Sequence, residues 1–541
     1  MNTYLYITIA TCLLMRCMRH IGVSQLMAMF LRRFFANPEC DVAGGVRLKL
    51  PTGSSVVLWI ELGMQLQDGL AHKMVNGFKG DSGCRFCTLC LNAWCSVSEV
   101  LDDEDKPLMI CTMTKSDEMV KAVDADILGA IDRLARRKAD PRCSADEFER
   151  WQKASGLLYQ EHGLLSDPVL RAKNIVQPCS QYCHDPMHTM VANGVMNVVL
   201  WLLLVEFAMF VNIWQILHGY VALWTTPRHF KNDHLHEMFN KKREESCKSS
   251  GKGRFKCMAS ELLGVYPILA YYFQSLLLKG YNPCRLHIKA FLLCCDLMDL
   301  ICAIPLGIIQ PHMLRSAVDE LLQACKDAGW SAMLIKKFHW ILHLADELAR
   351  WLMIPTCFSL ERKHRLVKRF AQTVRNTVGY VKSVYKDVLC HELAKLQQPD
   401  LFKEGVYLVN SHKASKTSLS FFCAYFEVQI KDSACAVSNV AHLEPDGFAE
   451  KGDVVLIRAT AADTSPWCAA EVWLHVQFSG QPPMSLISMY QFVSYEEKLY
   501  SATWRAQTSP MFVYTHDLLC STTHKKSQDG LVVTLIPLPF R

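Results

Sequence analysis

Val56–Lys73 reads VVLWIELGMQLQDGLAHK, and this stretch sets the expectation for the fold. The residues of Ser55–Leu66 follow a β-like alternation, as in a strand with one buried face, and this predicted strand leads directly into Asp68. The upstream run Val46–Leu50 alternates in the same way, and a Pro-Thr-Gly-Ser turn signal separates the two runs. The sequence therefore predicts a β-hairpin whose second strand presents a carboxylate at its end.

The composition around this stretch is that of a globular protein. Half of the 541 residues are hydrophobic, a fifth are charged, and the net charge is +6, which excludes a largely disordered chain. A charge this mild leaves nucleic-acid binding to local basic clusters. The 24 cysteines are scattered without compact spacing, which indicates a reduced intracellular protein rather than a secreted disulfide framework.

Changes in texture along the chain predict an α+β protein with five segments. Short β-like runs at Ser418–Ile430, Asp453–Ala459, Ala470–Phe478 and Leu531–Leu538 predict a small all-β, barrel-like module at the C-terminal end. The predicted segments are an apolar helical segment at 1–40, strands with a C-x2-C motif at 41–110, helices at 111–335, a histidine pair and a basic helix at 336–398, and the β-rich module at 405–541.

Two apolar stretches resemble membrane signals. Leu5–Met15 has the length of a signal-peptide core, but its nearest basic residues follow it instead of preceding it. Val195–Leu217 is long enough to span a bilayer, yet it contains Glu206, and a carboxylate at mid-span costs about 2.5 kcal/mol or more. We therefore expect a buried helix at Val195–Leu217, with an integral membrane protein as the last alternative.

A polar, basic stretch at Asn240–Lys256 interrupts the helical region. It reads as a surface loop, either a solvated linker or a contact to DNA phosphates or the nuclear import machinery.

Cysteine and histidine motifs indicate a metal site. Cys84, Cys87 and Cys90 form two overlapping C-x2-C pairs, and one such pair supplies half of a tetrahedral zinc site. His339 and His343 lie four residues apart, so on a helix both rings lie on one face and can reach one ion. The alternative for these histidines is ordinary packing.

A strongly basic helix follows the histidine pair. Six of the nine residues from Glu361 to Arg369 are Arg, Lys or His. Glu361 either pairs with Arg365 one turn on, or holds a divalent metal while the bases around it bind DNA phosphates. Asp68 has a comparable alternative, because an isolated aspartate after a strand is often a turn residue or a helix cap.

The order of these motifs resembles one family. These motifs look like the catalytic domain of CACTA-type (Plavaka-related) transposases. Their order is a strand with Asp68, the C-x2-C motif, the Asp185-Pro-Met-His188 element with Gly194 and Asn197, the histidine pair, and Glu361 with a basic run that ends at Asn376. The arrangement is also similar to the V(D)J recombinase core. The resemblance covers roughly residues 45–380.

The resemblance implies a fold, two metal sites and residue roles. It implies a partial RNase H-like core with a large α-helical insertion, Asp68 and Glu361 as catalytic carboxylates for Mg²⁺ or Mn²⁺, and a structural Zn²⁺ site. Asp185 and His188 match a family signature whose implied role is structural or near the site, without an assigned part in the chemistry. The implied zinc ligands are Cys87, Cys90, His339 and His343, with Cys84 as the alternate cysteine, and the implied DNA contacts are Arg362, Lys363, Arg365, Lys368 and Arg369.

The chain departs from the family at the first catalytic aspartate, which in the family lies on an earlier strand. The acids before Asp68 are Glu39, Asp41 and Glu61, and we expect none to substitute. The resulting expectation is a nuclear, transposon-derived protein that is inactive in strand cleavage, with a non-catalytic, zinc-stabilised DNA- or chromatin-binding protein as the alternative. DNA is the expected partner, with chromatin contacts through the C-terminal module and self-association as further expectations.

Overall fold

The computed structural model describes residues 22–38, 41–50, 53–67, 69–94, 119–231, 234–281, 283–375, 379–397, 403–427, 429, 435–445, 447–459 and 466–541. The side chains of 67, 81, 359–364, 381, 508 and 509 lie outside this description. The described residues divide into two compact units. Unit 1 comprises Met1–Met190, Gln310–Gln323 and Ser331–Lys395, and unit 2 comprises Val191–Ile309, Ala324–Trp330 and Leu396–Arg541. The predicted division into five segments stays a prediction.

The described chain is a mixed α+β protein, as the sequence predicts. Its helices are α1 Val23–Phe35, α2 Gly69–Asn76, α3 Asp124–Ala139, α4 Ala145–Ser155, α5 Pro168–Ala172, α6 Val195–Ala208, α7 Ile213–Val221, α8 Lys241–Ser249, α9 Ala259–Leu278, α10 Arg285–Ala303, α11 Pro311–Asp327, α12 Lys337–Trp340, α13 Leu344–Trp351, α14 Phe358–Thr373, α15 Tyr380–Leu396 and α16 Lys416–Phe426. A π-helix spans Met187–Val191, and a 3-10 turn at Ile341–His343 joins α12 to α13.

Two small strand pairs lie in unit 1. The predicted hairpin is present in part, with β1 (Val46–Lys49) antiparallel to β2 (Ser55–Leu58). The second strand was expected to run through Ser55–Leu66 into Asp68, but β2 ends at Leu58. A third strand, β3 (Gln65–Gln67), runs parallel to β4 (Tyr182–His184), with Gln67 opposite His184. Apolar residues of α1, α3 and α5 form the core beside these strands, among them Leu31, Ile131 and Leu170.

Unit 2 combines helices with the predicted C-terminal sheet. α6 is buried along most of its length and packs against α10. The strands are β5 Tyr407–Val409, β6 His412–Lys413, β7 Cys435–Ser438, β8 Val440–Leu443, β9 Gly447–Glu450, β10 Val454–Arg458, β11 Trp467–Phe478, β12 Met484–Glu496, β13 Ser501–Tyr514, β14 Leu518–Ser521, β15 His524–Lys526 and β16 Leu531–Leu535.

The main C-terminal sheet is antiparallel and has the order β14-β10-β11-β12-β13-β16-β15, with β7 pairing on β11 and β6 on β7. A separate three-stranded sheet has the order β5-β8-β9. Among the described strands the order does not close into a ring, so the barrel-like form stays a prediction.

Two local sequence predictions are wrong. Ser418–Ile430 was expected to be a strand, but Lys416–Phe426 is α16, because the Ser415 hydroxyl caps the helix by accepting from the Ser418 amide and Phe422 is buried against the sheet. Asn240–Lys256 was expected to be a loop, but Asn240 caps α8, whose Cys247 is buried. In both segments the capping hydrogen bond and a buried side chain stabilise a helix that the local composition does not predict.

The long apolar stretch Val195–Leu217 is two helices instead of one. α6 ends at Ala208, and α7 begins after Asn212, whose side chain accepts from the Gln215 amide. Within the described chain, Met187–Ala208 and Ala259–Leu278 are long and apolar enough to cross a membrane by length and composition alone. In the first of them 72% of the apolar window is buried inside the protein.

Candidate metal centre

Cys87 and Cys90 lie on an irregular loop that is fixed from both sides. The loop backbone pairs with the segment after it, because the Leu91 amide donates to the Val120 carbonyl at 2.8 Å and the Ala122 amide donates to the Leu89 carbonyl at 3.0 Å. Gly156, at φ +71°, lies behind the loop, where a Cβ would stand 2.2 Å from the Arg85 carbonyl oxygen. The absence of a side chain at Gly156 therefore lets the cysteine loop approach α4 closely.

His339 and His343 reach the loop from α12 and the 3-10 turn that follows it. His343 Nε2 lies 3.3 Å from Cys87 Sγ, 3.5 Å from Cys90 Sγ and 3.2 Å from His339 Nε2. One donor atom from each of the four residues lies within 4.8 Å of the others, and the four are 0–2% exposed. This buried cluster can hold a metal ion such as zinc.

The electrostatics favour the metal-binding form of two members of the cluster, Cys90 and His343, whereas burial raises the pKa of the Cys87 thiol well above its usual value. The hydrogen bond from the Cys87 thiol, followed by bonds from the two histidines, lowers the pKa of Cys90 to about 3. Burial lowers the pKa of His343, so its ring is neutral at pH 7. A thiolate and a neutral imidazole are the ligand forms, so Cys90 and His343 can bind a metal as they stand, whereas the Cys87 thiol must release its proton when a metal binds.

A buried acid–histidine pair backs the cluster. The His184 ring stacks on the His343 ring at 5.2 Å between centroids, and His184 Nδ1 lies 2.6 Å from Glu347 Oε1. Glu347 also accepts from the His184 amide at 3.0 Å and from the Cys183 thiol at 3.4 Å. The sequence interpretation missed His184 and Glu347, although Glu347 lies one helical turn beyond His343 and so shares its face.

The predicted signature residues Asp185 and His188 lie in a network of hydrogen bonds in which the Asp185 carboxylate is the acceptor. Asp185 accepts from the backbone amides of Met187 at 3.1 Å, His188 at 3.2 Å and Cys357 at 2.9 Å, and it also contacts the His188 ring. Since Cys357 is the residue before α14, the Asp185 carboxylate holds the beginning of that helix. Asp185, His188 and Cys357 also lie within 4.8 Å of one another, as a metal site would require.

The remaining predicted site residues are placed only in part. Asp68 lies outside the described residues, and Glu361, Arg362 and Lys363 are on α14 with side chains outside the description. Arg365, Lys368 and Arg369 are exposed on the same helix. Cys84 is not a member of the four-residue cluster. The distance between the Asp68 and Glu361 carboxylates therefore stays a prediction.

A buried histidine beside the cysteine loop predicts a pH dependence of stability. Asn76 Nδ2 donates to His72 Nδ1 at 3.1 Å, so His72 Nε2 carries the proton and donates to Thr88 Oγ1 at 2.7 Å. Burial, followed by the charge of His184, lowers the pKa of His72 from 6.5 to about 3. The unfolded chain therefore binds a proton more readily, and this contribution is full above pH 6.5 and is lost as the pH falls from 6.5 towards 3.

We expect the His72 contribution to fall by about 2 kcal/mol between pH 7.5 and pH 5, because each unit below the unfolded pKa costs about 1.4 kcal/mol. Urea unfolding of wild type and His72→Gln at both pH values measures it. The comparison uses the change with pH, so a uniform destabilisation of the variant does not affect it. Equal losses in the two proteins would contradict this assignment.

Comparison of the chain with protein-family models, with curated proteins and with solved structures found no match. The geometry described above is therefore the basis on which the function of this site is assigned.

Proposed function

We propose that the chain descends from a DDE-type DNA transposase of the CACTA class and acts as a nuclear, zinc-stabilised DNA-binding protein. The observation that carries the proposal is the meeting of Cys87 and Cys90 with His339 and His343 across 256 residues of sequence. Two motifs that far apart converge where the resemblance requires one Zn²⁺ site. A Zn²⁺ ion there would fix the α12–α13 segment to the cysteine loop.

The ends of two parallel strands support the catalytic part of the resemblance. β3 and β4 pair in parallel, so their carboxyl ends lie at one edge of the pair. Asp68 follows β3 directly and Asp185 follows β4 directly. Asp185 in turn binds the amide of Cys357, four residues before Glu361 on α14. This connectivity favours a shared Mg²⁺ or Mn²⁺ site for Asp68 and Glu361.

Of the acids before Asp68, Asp41 and Glu61 lie among the described residues, and neither has the surroundings of a bridging catalytic carboxylate. Asp41 Oδ2 pairs with Lys173 Nζ at 2.6 Å, and its Oδ1 accepts from the Ala43 amide at 3.1 Å. The Asp41 carboxylate therefore stabilises a turn and forms an ion pair, and Glu61 is exposed. Two-metal chemistry needs a carboxylate that bridges both ions, and neither residue is arranged as one.

DNA binding is expected to depend on α14. Arg365, Lys368 and Arg369 are exposed at positions i, i+3 and i+4, which share one helix face. Replacing all three by alanine is expected to weaken DNA binding on the order of 100-fold at 0.15 M salt and to reduce the slope of log K against log salt by about 3. Titration of a fluorescent duplex at several salt concentrations measures both quantities.

The control is a triple alanine variant at Lys241, Lys242 and Lys252, which removes the same charge from exposed positions in the other basic stretch. It is expected to change the slope by less than about 1. Equal effects of the two variants would mean non-specific attraction, and a wild-type protein that binds no duplex would end the DNA-binding proposal.

The transposase descent has a separate test that needs no catalysis. Fe²⁺ in the carboxylate site, with ascorbate and peroxide, would generate hydroxyl radicals that cut the nearby backbone. We expect cuts beside both Asp68 and Glu361 in wild type, and loss of both in Asp68→Ala. Cuts beside one residue alone, or cuts that persist in the variant, would refute a shared site.

A further inference from the structure

A second group of metal-binding side chains lies in unit 2, and its residues belong to none of the motifs described above. His218 is on α7, and His236 and Glu237 are on the 3-10 helix Leu235–Phe239. His236 Nε2 lies 3.4 Å from Glu237 Oε1, and His218 Nε2 lies 4.0 Å from the same oxygen. One donor atom from each of the three residues lies within 4.8 Å of the others. We propose that His218, His236 and Glu237 bind a Zn²⁺ ion at the surface of unit 2.

The backbones that carry these ligands are held by buried apolar residues. Trp214 and Leu217 of α7 are buried, as are Leu235 and Phe239 of the 3-10 helix, and the Trp214 and Phe239 rings lie 6.2 Å apart. The proposed ligands therefore extend from two backbone elements that are anchored by buried apolar side chains. Rigid support of this kind lowers the cost of gathering ligands from two elements.

The Glu237 carboxylate is oriented by a neighbouring amide. Asn240 Nδ2 donates to Glu237 Oε2 at 2.7 Å, so Oε1 is the oxygen that faces the histidines. Hydrogen bonds from outside the ligand set commonly orient metal-binding carboxylates in this way.

The two separations between the histidine nitrogens and the Glu237 carboxylate are close to those around a tetrahedral ion. Ligand distances of about 2.0–2.2 Å place neighbouring donors roughly 3.3–3.6 Å apart. The observed 3.4 and 4.0 Å therefore differ from that range by a few tenths of an ångström at most. Two imidazoles and one carboxylate form a zinc set with a fourth position for water, and the imidazoles disfavour Mg²⁺ and Ca²⁺. The side chains are 27–52% exposed, so water has access to the site.

The site would connect α7 to the 3-10 helix across residues 222–234. A metal ion that binds only the folded arrangement stabilises it by mass action, so loading should raise the thermal midpoint of unit 2. A plain ion-pair cluster has no such dependence on Zn²⁺.

Titration of the chelator-stripped full chain with Co²⁺ distinguishes this site from the cysteine–histidine cluster. Co²⁺ bound by thiolates gives a strong sulfur-to-metal charge-transfer band, whereas Co²⁺ bound by nitrogen and oxygen gives only weak visible bands. The titrations use the Asp68→Ala background, which removes the proposed carboxylate site, and there we expect one equivalent of each kind. His236→Ala and Glu237→Gln should weaken the second equivalent by at least about 100-fold and leave the first unchanged.

The matched control is His516→Ala, since His516 is an exposed histidine 3.8 Å from Asp517 in a pair without a second histidine. This variant should keep both equivalents. Cys90→Ala should lose the first equivalent and keep the second, so failure of the zinc-stabilised core and failure of this site are separable. A background protein with no nitrogen–oxygen equivalent, or a second equivalent that survives in His236→Ala, would overturn the proposal.

Discussion

Replacing Cys90 by alanine is expected to remove the Zn²⁺ ion proposed for unit 1 and to lower the free energy of unfolding by at least about 5 kcal/mol. Structural zinc contributes about 10–16 kcal/mol of apparent binding free energy in small zinc domains, and a whole domain is stable by only about 5–15 kcal/mol. Cys90 is fully buried, and its Sγ lies 3.5 Å from His343 Nε2. Without the ion, two buried histidines and the Cys87 thiol would lose their common partner.

Zinc content per chain, by mass spectrometry of the metal, and urea unfolding measure these effects together. The matched control is Cys84→Ala, which removes the other cysteine of the overlapping C-x2-C pairs but lies outside the cluster. It is expected to retain the zinc ion and nearly the full stability. If Cys84→Ala loses the ion while Cys90→Ala keeps it, the assignment of the cysteine pair is wrong.

Replacing Asp185 by alanine is expected to lower the free energy of unfolding by about 3–5 kcal/mol. The carboxylate is 2% exposed and accepts from three backbone amides, including that of Cys357 before α14. Alanine would leave these buried donors without an acceptor, and each costs about 1–3 kcal/mol. Asp185→Asn keeps one acceptor oxygen and should lose roughly half as much. Urea unfolding of the two variants beside wild type measures the difference.

The Asp185 contribution also has a predictable pH dependence. Burial raises the pKa of this carboxyl, but hydrogen bonds from His188 and Cys357 outweigh it, and the folded pKa lies below 3.8. A depressed folded pKa means that the contribution is full above about pH 4 and is lost as the pH falls below that value. The gap between wild type and Asp185→Asn should therefore narrow below pH 4. An equal loss in alanine and asparagine variants at pH 7 would contradict the capping role.

The cysteine and histidine motifs predicted the metal cluster because metal ligands can be recognised by residue type and spacing. A C-x2-C pair and two histidines four apart each form half of a site within a few residues, so either half is visible without the fold. His184 and Glu347 escaped this reasoning because their roles arise only from contact. His184 is a lone histidine at the end of a short strand and Glu347 a single acid on a helix, so neither signals the other in the sequence, and burial makes their pairing important.

His218, His236 and Glu237 show the same limit. Seventeen residues separate the two histidines, and only the packing of α7 on the Leu235–Phe239 helix brings them together. The misassigned α16 and α8 show a different limit. The composition of the first segment favours a strand and that of the second a loop. Both are helices, because Ser415 caps α16 and Asn240 caps α8, and each helix buries an apolar side chain.

The sequence by itself determined the mixed α+β class, the turn between β1 and β2, the C-terminal sheet and the cysteine and histidine motifs of the metal cluster, because alternation, turn residues and ligand spacing act over short range. The choice of Cys87 and Cys90 over Cys84 came from the family resemblance. Only the tertiary structure decided the parallel pairing of β3 with β4, the stacking of His184 on His343 and the capture of Cys357 by Asp185. These contacts join residues more than 110 positions apart, and they depend on which buried polar groups find partners when the core closes.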